Sequence, residues 1–424
     1  MRILVSHPNY PAQFRRLLPE LVAQGHDVVF LAQHHEWHAP PVHGFRLVTM
    51  APHRSAGGAA LHPYLRRLET AVVLGQAAYR ACCSLLEEGW EPEVVINHVG
   101  FGNGLYLRDA FPKARRIGLF EWYYNAFGSD VDFLQQGGLE PDRQLRIRTW
   151  NAQVLLELAD CDVCVTPTHW QRQQFPAFLR SKLQVIHEGI DTRYLATLRQ
   201  AGQGLSRPAC LPADPDLEVV TYVSRCFEEY RGFPQAMQAL ALLQQRRPNL
   251  HVLIVGHDGI AYGAPRADGR SWGEWAREEV SLDPGRTHWL GVLQDEAYHQ
   301  VLANSTVHFY LTVPFVLSWS FLEAMAAGCA VVASATPPVE EVLCHGVNGL
   351  LVDFFDSAAQ ANALESLLND PASREALARG AQQTAGSFAA DLGVRAWIQL
   401  LQSPLYADTN KTAPLVAGTV LSLQ

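Results

Sequence analysis

Tyr310-Leu311-Thr312-Val313-Pro314-Phe315-Val316-Leu317-Ser318-Trp319-Ser320-Phe321-Leu322-Glu323-Ala324-Met325-Ala326-Ala327-Gly328-Cys329-Ala330-Val331-Val332-Ala333-Ser334 carries the fold assignment. An apolar run at 307–312 ends in a Pro-containing loop, a helix starts at Ser318–Ser320, and a second apolar run, 329–334, follows a glycine. Short runs without polar alternation, separated by a helix, are the mark of parallel strands buried on both faces. The same alternation extends outward in both directions. Runs at 218–224, 250–256 and 287–293 precede the stretch, with helical segments between most of them. Further upstream, 2–7, 27–32, 45–50, 93–98, 115–120 and 161–166 repeat the pattern, with long helical candidates at 62–88 and 143–160. Between the two series, Ala201–Pro208 and Pro212–Pro215 read as a linker.

The expected architecture is therefore α/β: two Rossmann-like, doubly wound domains facing across a cleft. The expected divisions are 1–200, 201–385, a helix at 386–404 crossing back to the first domain, and a loose tail at 405–424. A chain of 424 residues, 48% hydrophobic and 18% charged, has the material for two cores. A net charge of −9 argues against a nucleic-acid binder. The Met1–His7 apolar stretch is too short for an export signal, no run reaches membrane-spanning length, and the eight cysteines are scattered; a cytoplasmic protein with reduced thiols is expected.

Ligands of such sheets collect beyond the carboxyl ends of strands. There, the start of the 318 helix offers the amides of Ser318, Trp319 and Ser320 to an anion such as a diphosphate. Glu323, a turn further, can accept from two ribose hydroxyls; Ser320-x-x-Glu323 can equally be a capping box that closes on its own helix. Arg225 and Arg231 flank the loop after 218–224, where a departing diphosphate needs cations; pairing with Glu228 and Glu229 is the plainer alternative. His98 ends a strand and can meet a sugar hydroxyl or serve structure alone. Glu121 and Trp122 end the next strand and suggest a sugar platform, on the acceptor side, or equally an ordinary surface cluster. Asp130-Val131-Asp132 is a lone DxD, Cys161 and Cys164 form a CxxC on a strand, and His34, His35, His38 and His43 lie in a loop without ligand spacing; none is read as a metal site. Arg143, Arg146 and Arg148 can touch an anionic membrane or form a solvated helix face.

Taken together, these runs resemble the family 4 retaining glycosyltransferases of GT-B architecture. The resemblance covers about residues 1–400 and is carried by Pro11-Ala12-Gln13-Phe14, Pro167–Gln171, Glu188–Thr192, Pro314–Ser320 and Leu322–Ala326. It implies a nucleotide diphosphate sugar (UDP- or GDP-linked) as co-substrate, retention at the anomeric carbon, no cofactor and no metal, and a glycan, lipid or small-molecule acceptor, with peripheral membrane contact open. It further implies that Arg225 and Arg231 hold the diphosphate, Glu323 the ribose and His98 the donor sugar. Gln13 is implied near the phosphates on closure, and the base is read by the backbone near Gly291 and Val292. The family's first glutamate falls on Phe315, which cannot accept a hydrogen bond. That departure keeps a non-catalytic sugar-nucleotide-binding subunit in view; a sugar-nucleotide epimerase or a phosphorylase on the same scaffold is the other alternative.

Overall fold

The computed structural model describes residues 1–35, 43–58, 61–135, 137–199, 207–214 and 216–403. The tail at 405–424, much of the 201–215 linker and His38 lie outside the described residues. The first half contributes β1 (Arg2–Ser6), β2 (Asn9–Tyr10), β3 (Asp27–Ala32), β4 (His34–His35), β5 (Arg46–Thr49), β6 (Val94–Val99), β7 (Arg115–Phe120), β8 (Val163–Thr166) and β9 (Leu183–Val185). The second contributes β10 (Glu218–Cys226), β11 (Leu250–His257), β12 (Thr287–Gly291), β13 (Val307–Tyr310), β14 (Ala330–Ser334) and β15 (Leu350–Val352).

Among the described residues these form two large sheets and one small ribbon. The sheet orders are β5-β3-β1-β6-β7-β8-β9 and β12-β11-β10-β13-β14-β15, and β2 pairs with β4. All the pairings are parallel, as between β1 and β6 (Ile3 beside Val94) and between β10 and β13 (Val220 beside Val307). Strands β1, β6, β10 and β13 are central and bury nearly every residue, which is why they read as unbroken apolar runs. The order turns back at β1/β6 and at β10/β13, so the crevices at those switch points face the carboxyl ends where His98, Arg225 and the 312–318 loop lie.

Local chemistry fixes the elements that shape these crevices. The helix Trp319–Ala326 starts at Ser318, whose backbone is extended, and buries Phe321, Leu322 and Met325. It stops at Gly328, whose φ of 75° suits a helix C-terminus and whose missing Cβ leaves room for Gln382. Gly232 (φ 59°) joins a single 3-10 turn, Glu229–Arg231, to the helix Phe233–Arg246; a Cβ there would meet Leu311 at 2.5 Å. That close approach presses Arg231 against the loop that follows β13. At the far end, helix Ala390–Gln402 lays Trp397, Ile398, Leu400 and Leu401 into one apolar cluster with Phe14, Leu17, Leu18 and Leu21 of the first half. Arg115 ties it down by donating to the Leu401 and Ser403 carbonyls at 3.2 and 2.9 Å.

The expected 62–88 helix is a 3-10 turn followed by Arg66–Glu87, and the expected 143–160 helix is two, Pro141–Trp150 and Ala152–Asp160. No helix among the described residues is long and apolar enough to cross a membrane.

Candidate functional site in the crevice between the two sheets

On the side of the second sheet, Arg231 is almost wholly buried. Its Nη1 donates to the Tyr310 hydroxyl (3.2 Å), the Thr312 hydroxyl (2.8 Å) and the Val316 carbonyl (2.9 Å). These anchors all lie between β13 and the helix at 319, so the guanidinium is locked beside the helix start. Arg225, on the last turn of β10, is exposed and makes no hydrogen bond or ion pair among the described residues. Its position at the carboxyl end of β10 sets it beside the switch-point crevice, and its charge is felt by His7 of the opposite sheet. The alternative of pairing with Glu228 is set aside by Glu228 itself, whose carboxylate accepts the amides of Ala261, Tyr262 and Gly263 at 3.3, 3.0 and 2.8 Å.

The helix start differs from expectation in one respect. The Ser318 amide donates to the Tyr310 hydroxyl at 3.0 Å, leaving Trp319 and Ser320 of the three expected amides. The Ser318 and Ser320 hydroxyls bond each other at 2.8 Å. Because Ser318 is the N-cap, Glu323 lies five positions in, too far to close a capping box, and that alternative is removed. Glu323 Oε2 instead accepts from the Tyr298 hydroxyl at 2.9 Å. Burial pushes its carboxyl up, opposed by Tyr298, Arg16 and Arg15. Gly291 and Val292 stand at the carboxyl end of edge strand β12, two strands from β10, with Val292 67% exposed.

On the side of the first sheet, His98 is buried, and its Nε2 stands 3.5 Å from Glu121 Oε2. Gln13 Nε2 donates to Glu121 Oε1 at 3.0 Å. Ala12, before it, holds φ at 43°, a left-handed conformation that costs a residue with a Cβ about 1–2 kcal/mol. Burial acts to raise the Glu121 carboxyl, and His98, Gln13 and the Arg231 charge outweigh it, so the group is held below the usual range. Arg231 thus reaches Glu121 electrostatically from across the crevice, and the two halves of the candidate site meet.

The acceptor platform expected at Trp122 is corrected. The Trp122 ring is 8% exposed and lies edge-on to Phe315 at 4.8 Å. Phe315 also meets Tyr262 at 5.0 Å and Tyr230 at 5.5 Å. Where a glutamate was missing, an aromatic cluster drawn from both halves takes its place. Sequence reasoning could not find this, because Tyr262 sits on a Gly-rich loop and Trp122 almost two hundred positions away.

Four further hydrogen bonds join the halves. Glu341 accepts the amides of His169 (2.9 Å) and Trp170 (2.6 Å), and the Trp319 indole donates to Glu188 Oε1 at 2.7 Å. The Tyr230 hydroxyl donates to Asp130 Oδ2 at 2.9 Å. Both carboxylates of the DxD have protein partners: Asp132 forms a capping box with Ser129, and Asp130 accepts from Tyr230. No group of three or more metal-ligating side chains occurs among the described residues.

Burial raises the Asp130 carboxyl to about 6, with Tyr230 opposing the shift. A carboxyl raised from 3.8 to about 6 favours the folded, joined state while it is protonated, and that contribution fades as pH climbs through about 6. The displacement is worth about 3 kcal/mol. Asp130→Asn stays neutral and still accepts from Tyr230. Its melting temperature is expected to exceed that of the parent at pH about 7.5 and to converge on it only as pH falls to about 4, below the unfolded-state value. Parallel curves for the two proteins would remove Asp130 from the interface energetics.

Residues 24–195 match the model of the glycosyl transferase family 4 group, and residues 209–384 that of glycosyl transferases group 1. A D-inositol 3-phosphate glycosyltransferase of Corynebacterium urealyticum is 24% identical over 258 residues, 60% of this chain. The match spans only 57% of that relative's length. A sucrose-phosphate synthase from Thermosynechococcus elongatus superposes over 95% of this chain and 98% of its own, with a TM-score of 0.67 at 20% identity. Anabaena Alr3699/HepE, solved with UDP and glucose, superposes over 95% and 100% with a TM-score of 0.66 at 16% identity. At such identities the likeness establishes the GT-B fold.

Proposed function

The chain belongs to the family 4 group of glycosyl transferases, and from that premise we propose that it transfers a sugar, with retention, from a nucleotide diphosphate donor to an acceptor. The donor lies against residues 201–385 and the acceptor against residues 1–200, with the 386–404 segment tying the two together. The observation that carries this reading is the pair of guanidinium groups at the end of β10. One is locked beside the helix start by Tyr310, Thr312 and Val316, and the other is exposed, unpaired among the described residues, and felt by His7 of the opposite sheet. Such a pair suits the β-phosphate as the glycosidic bond breaks and negative charge accumulates on the leaving group.

In this reading the protein provides no dedicated nucleophile. Arg225, Arg231 and the Trp319 and Ser320 amides stabilise the departing diphosphate, and Glu323 holds the ribose. The base meets backbone near Gly291 and Val292. His98, in contact with Glu121, meets the sugar on the other side, with Gln13 orienting Glu121. The bonds from Glu341, Trp319 and Tyr230 close the crevice and limit water's access to the activated sugar. The proposed setting is the cytoplasm, at a soluble or membrane-bound acceptor.

The test is release of nucleotide from a panel of UDP-, GDP- and ADP-sugars, first without acceptor and then with added glycans and lipids. Release that depends on one donor supports the reading. Phe315 favours one competitor, a sugar-nucleotide-binding subunit without turnover. Tight donor binding by calorimetry, with no release over the whole panel, would favour that competitor and set aside catalysis.

A further inference from the structure

His7 follows β1, the central strand of the first sheet, and nothing so far gives it a role. Its ring is 2% exposed, edge-on to His98 at 4.8 Å and to Phe101 at 5.4 Å. The Asn9 amide donates to His7 Nδ1 at 2.8 Å. A neutral imidazole that accepts at Nδ1 carries its proton on Nε2. Burial, seconded by His98 and Arg225, holds the ring well below the usual histidine range, so it is neutral at pH 7.

Nε2 is buried and has no hydrogen-bond partner among the described residues. The Gln13 side chain acts on the ring in the direction that raises it, but it makes no hydrogen bond to Nε2 among the described residues. A buried N–H left unmet costs about 1–3 kcal/mol. Arg225, from the opposite sheet, is likewise without a partner among the described residues, and its charge reaches His7. Two hydrogen-bond donors thus converge on one crevice from opposite sides. Neither can accept from the other, and an anionic acceptor between them would satisfy both at once.

We propose that His7 is a donor-phosphate residue: its Nε2–H donates to a phosphoryl oxygen of the nucleoside diphosphate that Arg225 holds from the other side. This rests on the donor reading given above. A neutral donor suits the place, because it adds a hydrogen bond without repelling Arg225. It also gives the first sheet a grip on the phosphates, so that phosphate binding itself draws the two halves together.

His7→Phe keeps a ring of similar size and removes the donor; His7→Gln restores an N–H. Calorimetry with UDP, GDP and ADP, and with uridine as the phosphate-free control, separates the outcomes. His7→Phe is expected to weaken the preferred diphosphate about tenfold and leave uridine unchanged, and His7→Gln to recover most of the loss. Equal diphosphate affinity in His7→Phe and wild type would overturn the proposal, as would equal losses for diphosphate and uridine. If the wild type binds none of the three diphosphates, the donor reading falls first and this proposal with it. Should His7→Phe fail to fold, nitrogen-15 spectra of the wild-type imidazoles decide. The expected result is an Nε2-protonated tautomer whose N–H resonance moves on adding the diphosphate; a resonance that stays in place overturns the assignment.

Discussion

Arg225→Ala is expected to lower kcat/KM for donor turnover by about 10²–10³ while leaving the melting temperature unchanged. The magnitude is that of a preorganised donor aimed at charge that develops in the transition state, about 3–4 kcal/mol, converted at 1.4 kcal/mol per tenfold. The unchanged stability follows from the site: Arg225 is exposed and makes no hydrogen bond or ion pair among the described residues, so its removal orphans nothing. Arg231→Ala is expected to cost as much in rate and to destabilise as well. It would leave the Thr312 hydroxyl and the Val316 carbonyl without their donor in a buried place, and the Tyr310 hydroxyl with the Ser318 amide alone, worth about 2 kcal/mol or more. Arg231→Lys should not rescue, because one ammonium cannot reach three fixed acceptors and still present a second face to the phosphate. Steady-state kinetics and thermal melts on the three variants check this. An Arg225→Ala protein of wild-type rate would take Arg225 out of the chemistry, and with it the observation on which the functional reading rests.

The contrast between the two arginines also marks how far the sequence was legible. Their position after an apolar run located both, since ligand sites follow the carboxyl ends of parallel strands. That one is locked and the other free depends on Gly232 and on acceptors some eighty residues downstream, which periodicity does not encode. The parallel strands were legible because burial on both faces leaves no polar alternation. Strands β9 and β15 escaped notice because each has three residues at a sheet edge, with partly exposed positions. Glu323 was legible as a helix residue near an anion site, but its competing role turned on where the helix begins, and Ser318 rather than Ser320 is the cap. The pairs Asp130–Tyr230 and Glu341–His169 link residues at least a hundred positions apart. His7 was passed over for a related reason: a histidine in an apolar start reads as core until its neighbours across the crevice are known.

Glu323→Ala is expected to raise the donor KM about a hundredfold, with a smaller change in kcat, because ribose contacts serve ground and transition states alike. Two hydroxyls donating to one partly buried carboxylate are worth about 3 kcal/mol together. The Tyr298 hydroxyl already satisfies Oε2 at 2.9 Å and so orients the group before the ligand arrives. Tyr298→Phe should therefore cost far less than loss of the carboxylate itself. Burial raises the Glu323 carboxyl, so its ionised form is lost on acidification earlier than that of an exposed glutamate, and donor affinity should fall correspondingly early. A general loss of structure at the helix start would mimic the KM effect, and a 2′-deoxy donor separates the two. Wild type should discriminate strongly against it, since one hydroxyl is missing, whereas Glu323→Ala should treat ribose and deoxyribose donors almost equally. If the variant keeps the wild-type preference for ribose, the hydroxyls are read elsewhere and Glu323 serves only the packing between Tyr298 and the helix.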